Sequence, residues 1–427
     1  MRYYSLNNSS PLTSFKKAVQ NGIAPDRGLY FPEEITPISE DFINNISDYS
    51  NEEIAYEVIK QFIGDEIPAP ILKEIIKKTI SFDFPVVNLD ENIGSLELFH
   101  GPTMAFKDVG ARFMSQCLEY FNQSKTEDIT VLVATSGDTG GAVANGFLNA
   151  KGVQVVILYP KGKVSEIQEK QLTTLGNNIT ALEVDGVFDD CQEMVKSAFL
   201  DKNISRNLTS ANSINVARWL PQMFYFFFAY KQVSKHYKDI VFSVPSGNFG
   251  NICAGLLAQK LGLPVKHFVA STNINDTVPQ YLLNGNYDPK PSKATISNAM
   301  DVGNPSNFIR IQELFDNNLS SLKKSFSSFS FSDDETKIMM KSIHDKFNYI
   351  SEPHGAIGYL GLKKYGLKTN EFGVFLETAH PVKFLEVVEE TLSVNVEIPH
   401  KIKQVMSKEK VATSVSNYQE LKMFLNR

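Results

Sequence analysis

The sequence predicts an open α/β architecture built on parallel sheets, and three observations carry that reading. Short apolar runs at Ser95–Phe99, Thr130–Ala134, Val153–Leu158, Ile179–Val184 and Ile240–Val244 read as strands, each followed by a longer helical stretch. Strands that alternate with helices need crossover connections, which makes the sheets parallel and covers both of their faces. The chain is also long enough, at 427 residues with 42% hydrophobic and 21% charged, to fill more than one packed core.

Taken in order, the first ninety or so residues carry a polar-faced helical pattern, with helices predicted near 51–63 and 69–79 after a tight Pro25-Asp26-Arg27-Gly28 turn. Further on, Met223–Tyr230 is strongly lipophilic, but it spans only eight residues between Gln222 and Lys231. That falls far short of the ~20 needed to cross a bilayer, so it reads as a buried helix. Pro279–Asn307 is rich in Pro, Asn, Ser and Gly, and Ser320–Ser332 is a Ser/Phe run; both read as loops or insertion boundaries. A helix near 333–346, another after His354-Gly355, a strand at Gly373–Leu376 and a helix opening at Pro381 complete the pattern.

Composition excludes several classes of function. Forty-two basic and 48 acidic residues give a net charge of −6 without a basic stripe, which disfavours nucleic acid and anionic membranes as partners. Cys117, Cys191 and Cys253 are widely separated, so no CxxC metal or redox spacing exists, no metal is expected, and a reducing cytoplasm is the natural compartment. Met1–Ser10 has Asn and Ser where an export signal would place an apolar run.

Ligands of open α/β sheets bind where strands give way to helices, and four such junctions stand out. In His100–Asp108, Lys107 follows Met104, Ala105 and Phe106; partial burial there would lower its pKa and suit it to Schiff-base or proton-transfer chemistry. The plainer alternative is a lysine that packs its stem and pairs with Asp108. Gly110 and Ala111, on the same helical face, leave room for something flat. Ser246-Gly247-Asn248-Phe249-Gly250-Asn251 places backbone N–H groups at a helix start, where a phosphate could sit, although it is neither GxxxxGK[ST] nor GxGxxG. Thr135-Ser136-Gly137-Asp138-Thr139-Gly140 concentrates hydroxyls and amides for a small anion, with Asp138 at odds with that unless it caps the helix. At Glu377-Thr378-Ala379-His380-Pro381, Thr378 offers a hydroxyl to a ring nitrogen or an N-cap to the helix at Pro381.

Together these stretches, with Pro25–Pro32, Asn212-Ser213-Ile214-Asn215 and Arg218, occur in the order found in one family, so that the chain resembles threonine synthase, a pyridoxal-phosphate enzyme of the tryptophan-synthase-β-like fold. The resemblance implies two lobes of open parallel sheet: a larger cofactor lobe from 93–127 and 236–427 with an insertion at about 280–330, a smaller substrate lobe from 128–235, and an N-terminal helical extension from 1–92. It implies that Lys107 holds pyridoxal 5'-phosphate as a Schiff base and is the catalytic residue. Gly247, Asn248, Phe249, Gly250 and Asn251 would cradle the cofactor phosphate and flank its ring, and Thr378 would face the pyridine nitrogen. Thr135, Ser136, Asp138 and Thr139 would take the substrate carboxylate, although many relatives of this fold have asparagine where this chain has Asp138.

The implied reaction is the last step of threonine biosynthesis, in which O-phospho-L-homoserine and water give L-threonine and phosphate by γ-elimination and β-addition. The departing monoester carries roughly −1.5 to −2 at neutral pH, so Arg218 with Asn212 and Ser213, helped by Thr139 from the facing loop, and Lys163 as a further candidate, would bind it. The competing readings are a dehydratase or β-replacing synthase of the same fold, acting on serine or threonine, and an inactive relative that only binds. An oligomeric state is not legible in the sequence.

Overall fold

The computed structural model describes residues 1–123 and 127–427; residues 124–126, inside the expected 93–127 segment, lie outside the described residues. Two parallel sheets dominate. The larger runs in the order β12 (Phe326–Ser330), β11 (His267–Thr272), β10 (Asp239–Pro245), β13 (Glu371–Glu377), β5 (Ile93–Glu97) and β4 (Val86–Asp90), with only β4 antiparallel. The smaller runs β14 (Thr413–Val415), β8 (Ile179–Val184), β7 (Val153–Pro160), β6 (Ile129–Ala134) and β9 (Asn207–Ser210), parallel throughout. Every residue of β6 is buried, as a strand covered by helices on both faces requires.

Helix starts follow their local chemistry. Ser50 and Glu53 cap each other's backbone at the head of Asn51–Ile63, Ser332 and Glu335 do the same for Asp333–Phe347, and proline opens Pro353–Tyr365. The lipophilic run becomes the helix Met223–Val233, whose Phe226 packs edge-on against Phe242 of β10 and Phe268 of β11. Burying each such ring is worth about 1.5–3 kcal/mol, so this helix anchors the larger sheet.

Three features depart from the sequence reading. The N-terminal extension is not only helical, because it contains a small antiparallel sheet in the order β2 (Thr13–Ser14), β1 (Arg2–Ser5), β3 (Tyr30–Pro32). The last strand, β14, joins the smaller sheet although the stretch 236–427 reads as part of the larger lobe. The Ser/Phe run is no loop: its first part belongs to the helix Leu319–Ser325 and the rest forms the edge strand β12, whose serines carry little β signal yet whose backbone pairs with β11.

The insertion also does more than connect. Arg310, fully buried in the helix Phe308–Leu314, donates to Asn307 Oδ1 at 2.8 Å, to the Tyr30 carbonyl at 2.9 Å and to the Ile214 carbonyl at 2.7 Å, and its guanidinium lies 4.3 Å from the Trp219 ring. One cation thereby ties the N-terminal extension to the segment that carries Arg218. Arg310→Met should lower the thermal midpoint by several degrees, because three buried acceptors lose their donor at a cost of about 3 kcal/mol or more. Arg310→Lys should recover only part, since an ammonium lacks the planar fork; a midpoint unchanged in calorimetry would contradict this role.

Candidate active site

Lys107 opens the helix Lys107–Asn122, and the loop before it is held by backbone pairing to the end of β13. Ala105 bridges Ala379 in antiparallel fashion, the Phe106 N–H donates to the Thr378 carbonyl at 2.9 Å, and the His380 N–H donates to the Met104 carbonyl at 3.0 Å. Tyr225 adds a phenol hydrogen bond to the Phe106 carbonyl. Lys107 and Thr378 are therefore fixed to one another through a short two-strand strap.

The pairing of Lys107 with Asp108 does not occur. Asp108 turns back to accept from the Thr103 hydroxyl and, at 2.9 Å, from the Thr103 N–H; burial lifts its pKa to about 6 against those hydrogen bonds. Half-buried Lys107 has no hydrogen bond or ion pair among the described residues. Burial lowers its pKa; Asp138 opposes that, while Lys383 and Arg218 add to it. The room for something flat beside Gly110 is absent too, because a Cβ there would lie 2.6 Å from the Arg218 carbonyl oxygen. Glycine at this position lets the Arg218 backbone approach the helix of Lys107, and Ala111 packs against Gly146.

The Ser246–Asn251 loop follows β10. The backbone N–H groups of Gly247, Asn248, Phe249, Gly250 and Asn251 donate to nothing among the described residues, at the head of the helix Gly250–Lys260. Phe249 has φ +58°, which turns the chain into the helix, and its ring is buried against Phe308 rather than facing the cleft. A Cβ on Gly247 would lie 2.6 Å from Met300 Cα. Asn248 is committed to structure: its amide donates to Ser213 Oγ at 2.7 Å and accepts from the Ser306 N–H at 2.6 Å. Asn251, by contrast, is buried with neither amide atom hydrogen-bonded.

In the Thr135 loop the hydroxyls divide by role. Thr135 Oγ1 accepts from the Gly137 and Gly140 N–H groups at 3.0 and 2.8 Å, so it shapes the turn. The side chains of Ser136 and Thr139 make no hydrogen bond among the described residues and are partly exposed. Asp138 does not cap its helix, since Gly137 is the N-cap residue and no side chain caps it. Instead its Oδ1 lies 2.6 Å from Lys383 Nζ and accepts from Gln168 at 3.1 Å. Burial raises the Asp138 pKa, but the charges of Lys383 and Lys107 outweigh that and hold the carboxyl well below the usual range.

Arg218 is 3% exposed and, among the described residues, forms no ion pair; it donates to the Ala211 carbonyl, and its Nε has no partner there. Burial lowers its pKa to about 10. Ser213, bonded to Asn248 and to Asn307 at 3.3 Å, joins this segment to the glycine loop, while half-buried Asn212 keeps its side chain free of hydrogen bonds. Lys163 stands exposed, and its side chain has no hydrogen bond or ion pair among the described residues. Thr378 does not cap the turn Pro381–Phe384; His380 Nδ1 does, accepting from the Val382 N–H at 3.1 Å. The Thr378 hydroxyl makes no hydrogen bond among the described residues. Sequence reasoning missed Lys383, Gln168 and Asn307, although Lys383 between Val382 and Phe384 repeats the signal that marked Lys107, a lysine set among apolar neighbours.

A free amine, a cradle of unpaired amides with an orphaned buried asparagine, and an unengaged threonine hydroxyl form a donor set that fits a phosphorylated pyridine aldehyde. The profile of the family "Pyridoxal-phosphate dependent enzyme" matches residues 92–372, and the chain belongs to that class. The profiles "Threonine synthase N terminus" and "Threonine synthase, C-terminal" match residues 2–80 and 355–425. Threonine synthase of Buchnera aphidicola subsp. Baizongia pistaciae is 45% identical over 430 residues, covering 100% of this chain and 99% of its own; that of Escherichia coli K12 is 45% identical over 405 residues, covering 94% of each. The chain belongs to the threonine synthase family, pyridoxal-phosphate-dependent carbon–oxygen lyases. Crystal structures agree: threonine synthase from E. coli superposes with a TM-score of 0.93 at 42% identity, covering 100% of this chain and 99% of that one. The PLP-bound enzyme from Brucella melitensis gives 0.94 at 32%, with the same coverage. Threonine deaminase from Solanum lycopersicum, at 16% identity and a TM-score of 0.59, shares the fold alone. No helix among the described residues is long and apolar enough to cross a membrane.

Glu377, next to Thr378, is fully buried; Ser351 donates to its Oε1, and Oε2 has no partner. Burial, then the charge of Glu352, pushes its pKa well above 4.5. A carboxyl raised in the folded state stabilises fully below its unfolded value and loses that contribution as pH rises through the folded one. Glu377→Gln should therefore match the parent's thermal midpoint near pH 5 and exceed it increasingly toward pH ~8. A constant difference across that range would show that Glu377 does not titrate there.

Proposed function

We propose that the chain converts O-phospho-L-homoserine and water into L-threonine and phosphate, with Lys107 as the catalytic residue. The observation that carries this is Arg218: a buried guanidinium without a carboxylate, packed through Gly110 against the helix of Lys107. An unneutralised buried cation is costly, and a ligand with a second anionic group beyond its carboxylate offsets that cost. Serine and threonine, the substrates of the dehydratase reading, have no such group.

The remaining roles follow from which groups are unengaged. The free amides of Gly247 to Asn251, with the Asn251 side chain, hold the cofactor phosphate. Asn248 and Phe249 keep that loop in shape, and the Thr378 hydroxyl would face the ring nitrogen. A neutral hydroxyl there does not force the nitrogen to protonate, so more of the proton transfer falls to Lys107. When bound, pyridoxal phosphate supplies an electron sink conjugated to the substrate amine, which acidifies the protons on Cα and then Cβ. Ser136 and Thr139, with the open N–H groups of their turn, take the substrate carboxylate, while Thr135 and Asp138 shape the site around them. Lys107, with its lowered pKa, is a free base for a larger share of the time and can take up the Cα proton. Arg218, with Asn212 and Ser213, steadies the phosphate as it leaves Cγ, and water adds at Cβ. Exposed Lys163 has no place in this set. Three buried thiols suit action in a reducing cytoplasm.

Lys107→Ala should abolish covalent cofactor attachment, seen as loss of the visible absorption band and of the cofactor adduct by mass. Arg218→Met should lower kcat/KM for O-phosphohomoserine about 100-fold, corresponding to a charge-assisted contact of ~3 kcal/mol, and Arg218→Lys should restore part of it. An Arg218→Met enzyme with unchanged kcat/KM would remove this arginine from the phosphate site.

A further inference from the structure

The ion pair between Asp138 and Lys383 joins the two sheets beside Lys107. Asp138 begins the helix after β6 of the smaller sheet, and Lys383 lies in the turn after β13 of the larger one. Their side chains are 4% and 0% exposed. Lys383 Nζ also donates to the Thr103 carbonyl at 3.1 Å, which Gln171 reaches at 3.2 Å, and Thr103 in turn holds Asp108, the neighbour of Lys107. Gln168, the second partner of Asp138, caps its own helix through Ser165, whose hydroxyl meets the Lys383 carbonyl at 3.5 Å. Burying two ions costs several kcal/mol each, and a well-packed apolar pair would hold two lobes together at less cost. Structure alone does not explain the pair.

We propose that Asp138 and Lys383, tied through Thr103 to Asp108 next to Lys107, form a positioning pair for Lys107 that sets the charge its amine meets. The inference rests on Lys107 being the lysine that carries the cofactor. The charged groups whose fields reach Lys107 are Asp138, Lys383 and Arg218, each from a different element. On its own helix Asp108 is engaged by Thr103, and Tyr225 is engaged by the Phe106 carbonyl. Asp138 favours the charged amine and Lys383 disfavours it, so the pair balances the two forms. Removing either member should shift Lys107 in opposite directions, which a merely structural bridge would not do.

The test is the pH dependence of Lys107 labelling by trinitrobenzenesulfonate in the full-length protein free of cofactor, followed by peptide mass spectrometry. Asp138→Asn should lower the Lys107 midpoint by about half a pH unit or more, Lys383→Met should raise it by a similar amount, and the double variant should return near the parent. Visible-band titration of the cofactor-loaded variants should move in the same directions. Asp138→Asn keeps the shape of the side chain and an oxygen for Lys383 and Gln168, so it decides the matter even if Lys383→Met does not fold. A midpoint unmoved or raised in Asp138→Asn, with an unchanged circular dichroism spectrum, overturns the proposal. Parent protein that takes up no cofactor on Lys107 would instead defeat the reading of function on which the proposal rests.

Discussion

An amine that must attack a carbonyl and carry protons is held back by a carboxylate paired directly with it, which keeps it protonated. This constraint organises the centre of the molecule. Asp108, adjacent in sequence, is drawn away by Thr103, and Asp138 is paired with Lys383, whose charge opposes its own at Lys107. Once the carboxylates are spoken for, Lys107 and Arg218 are left without a carboxylate partner among the described residues. Such a site is incomplete without anionic ligands, and a phosphorylated cofactor with the proposed phosphorylated amino acid would supply them.

Placement follows from two parallel sheets whose strands end at the same cleft. The glycine loop follows β10, Thr378 follows β13 and the Thr135 loop follows β6, so each functional segment is a strand-to-helix junction. Backbone pairing of residues 104–106 with 378–380 makes the distance between amine and threonine hydroxyl a property of the sheet rather than of side-chain packing. The insertion contributes from behind: Asn307 and Ser306 bond Asn248, and Arg310 braces Ile214 close to Ser213.

Much of this was legible in the sequence because the strands of parallel sheets are continuous apolar runs, and loops that bind anions need glycine and free amides. The five strands from Ser95 to Val244 and the strand at Gly373 were found within a few residues for that reason. β12 was missed because an edge strand of serines carries no hydrophobic pattern, and the N-terminal sheet because its strands are two to four residues long. Site residues were found where a motif concentrates them. Their division of labour is not legible locally, because Asn248 and Asp138 are set apart from Asn251 and Thr139 by partners distant in sequence that already occupy them. The link between Lys383 and Asp138 spans 245 positions and no local signal announces it.

The central claim is that Arg218 and Lys107 act on one substrate, with its carbon–oxygen bond broken at Cγ and remade with water at Cβ. Turnover of O-phosphohomoserine in ¹⁸O-water, with both products analysed by mass spectrometry, tests it most directly. Threonine should carry the label in its hydroxyl, with phosphate released in equal amount and without label. Label in the phosphate, with homoserine as the co-product, would mean simple phosphoester hydrolysis and would contradict it.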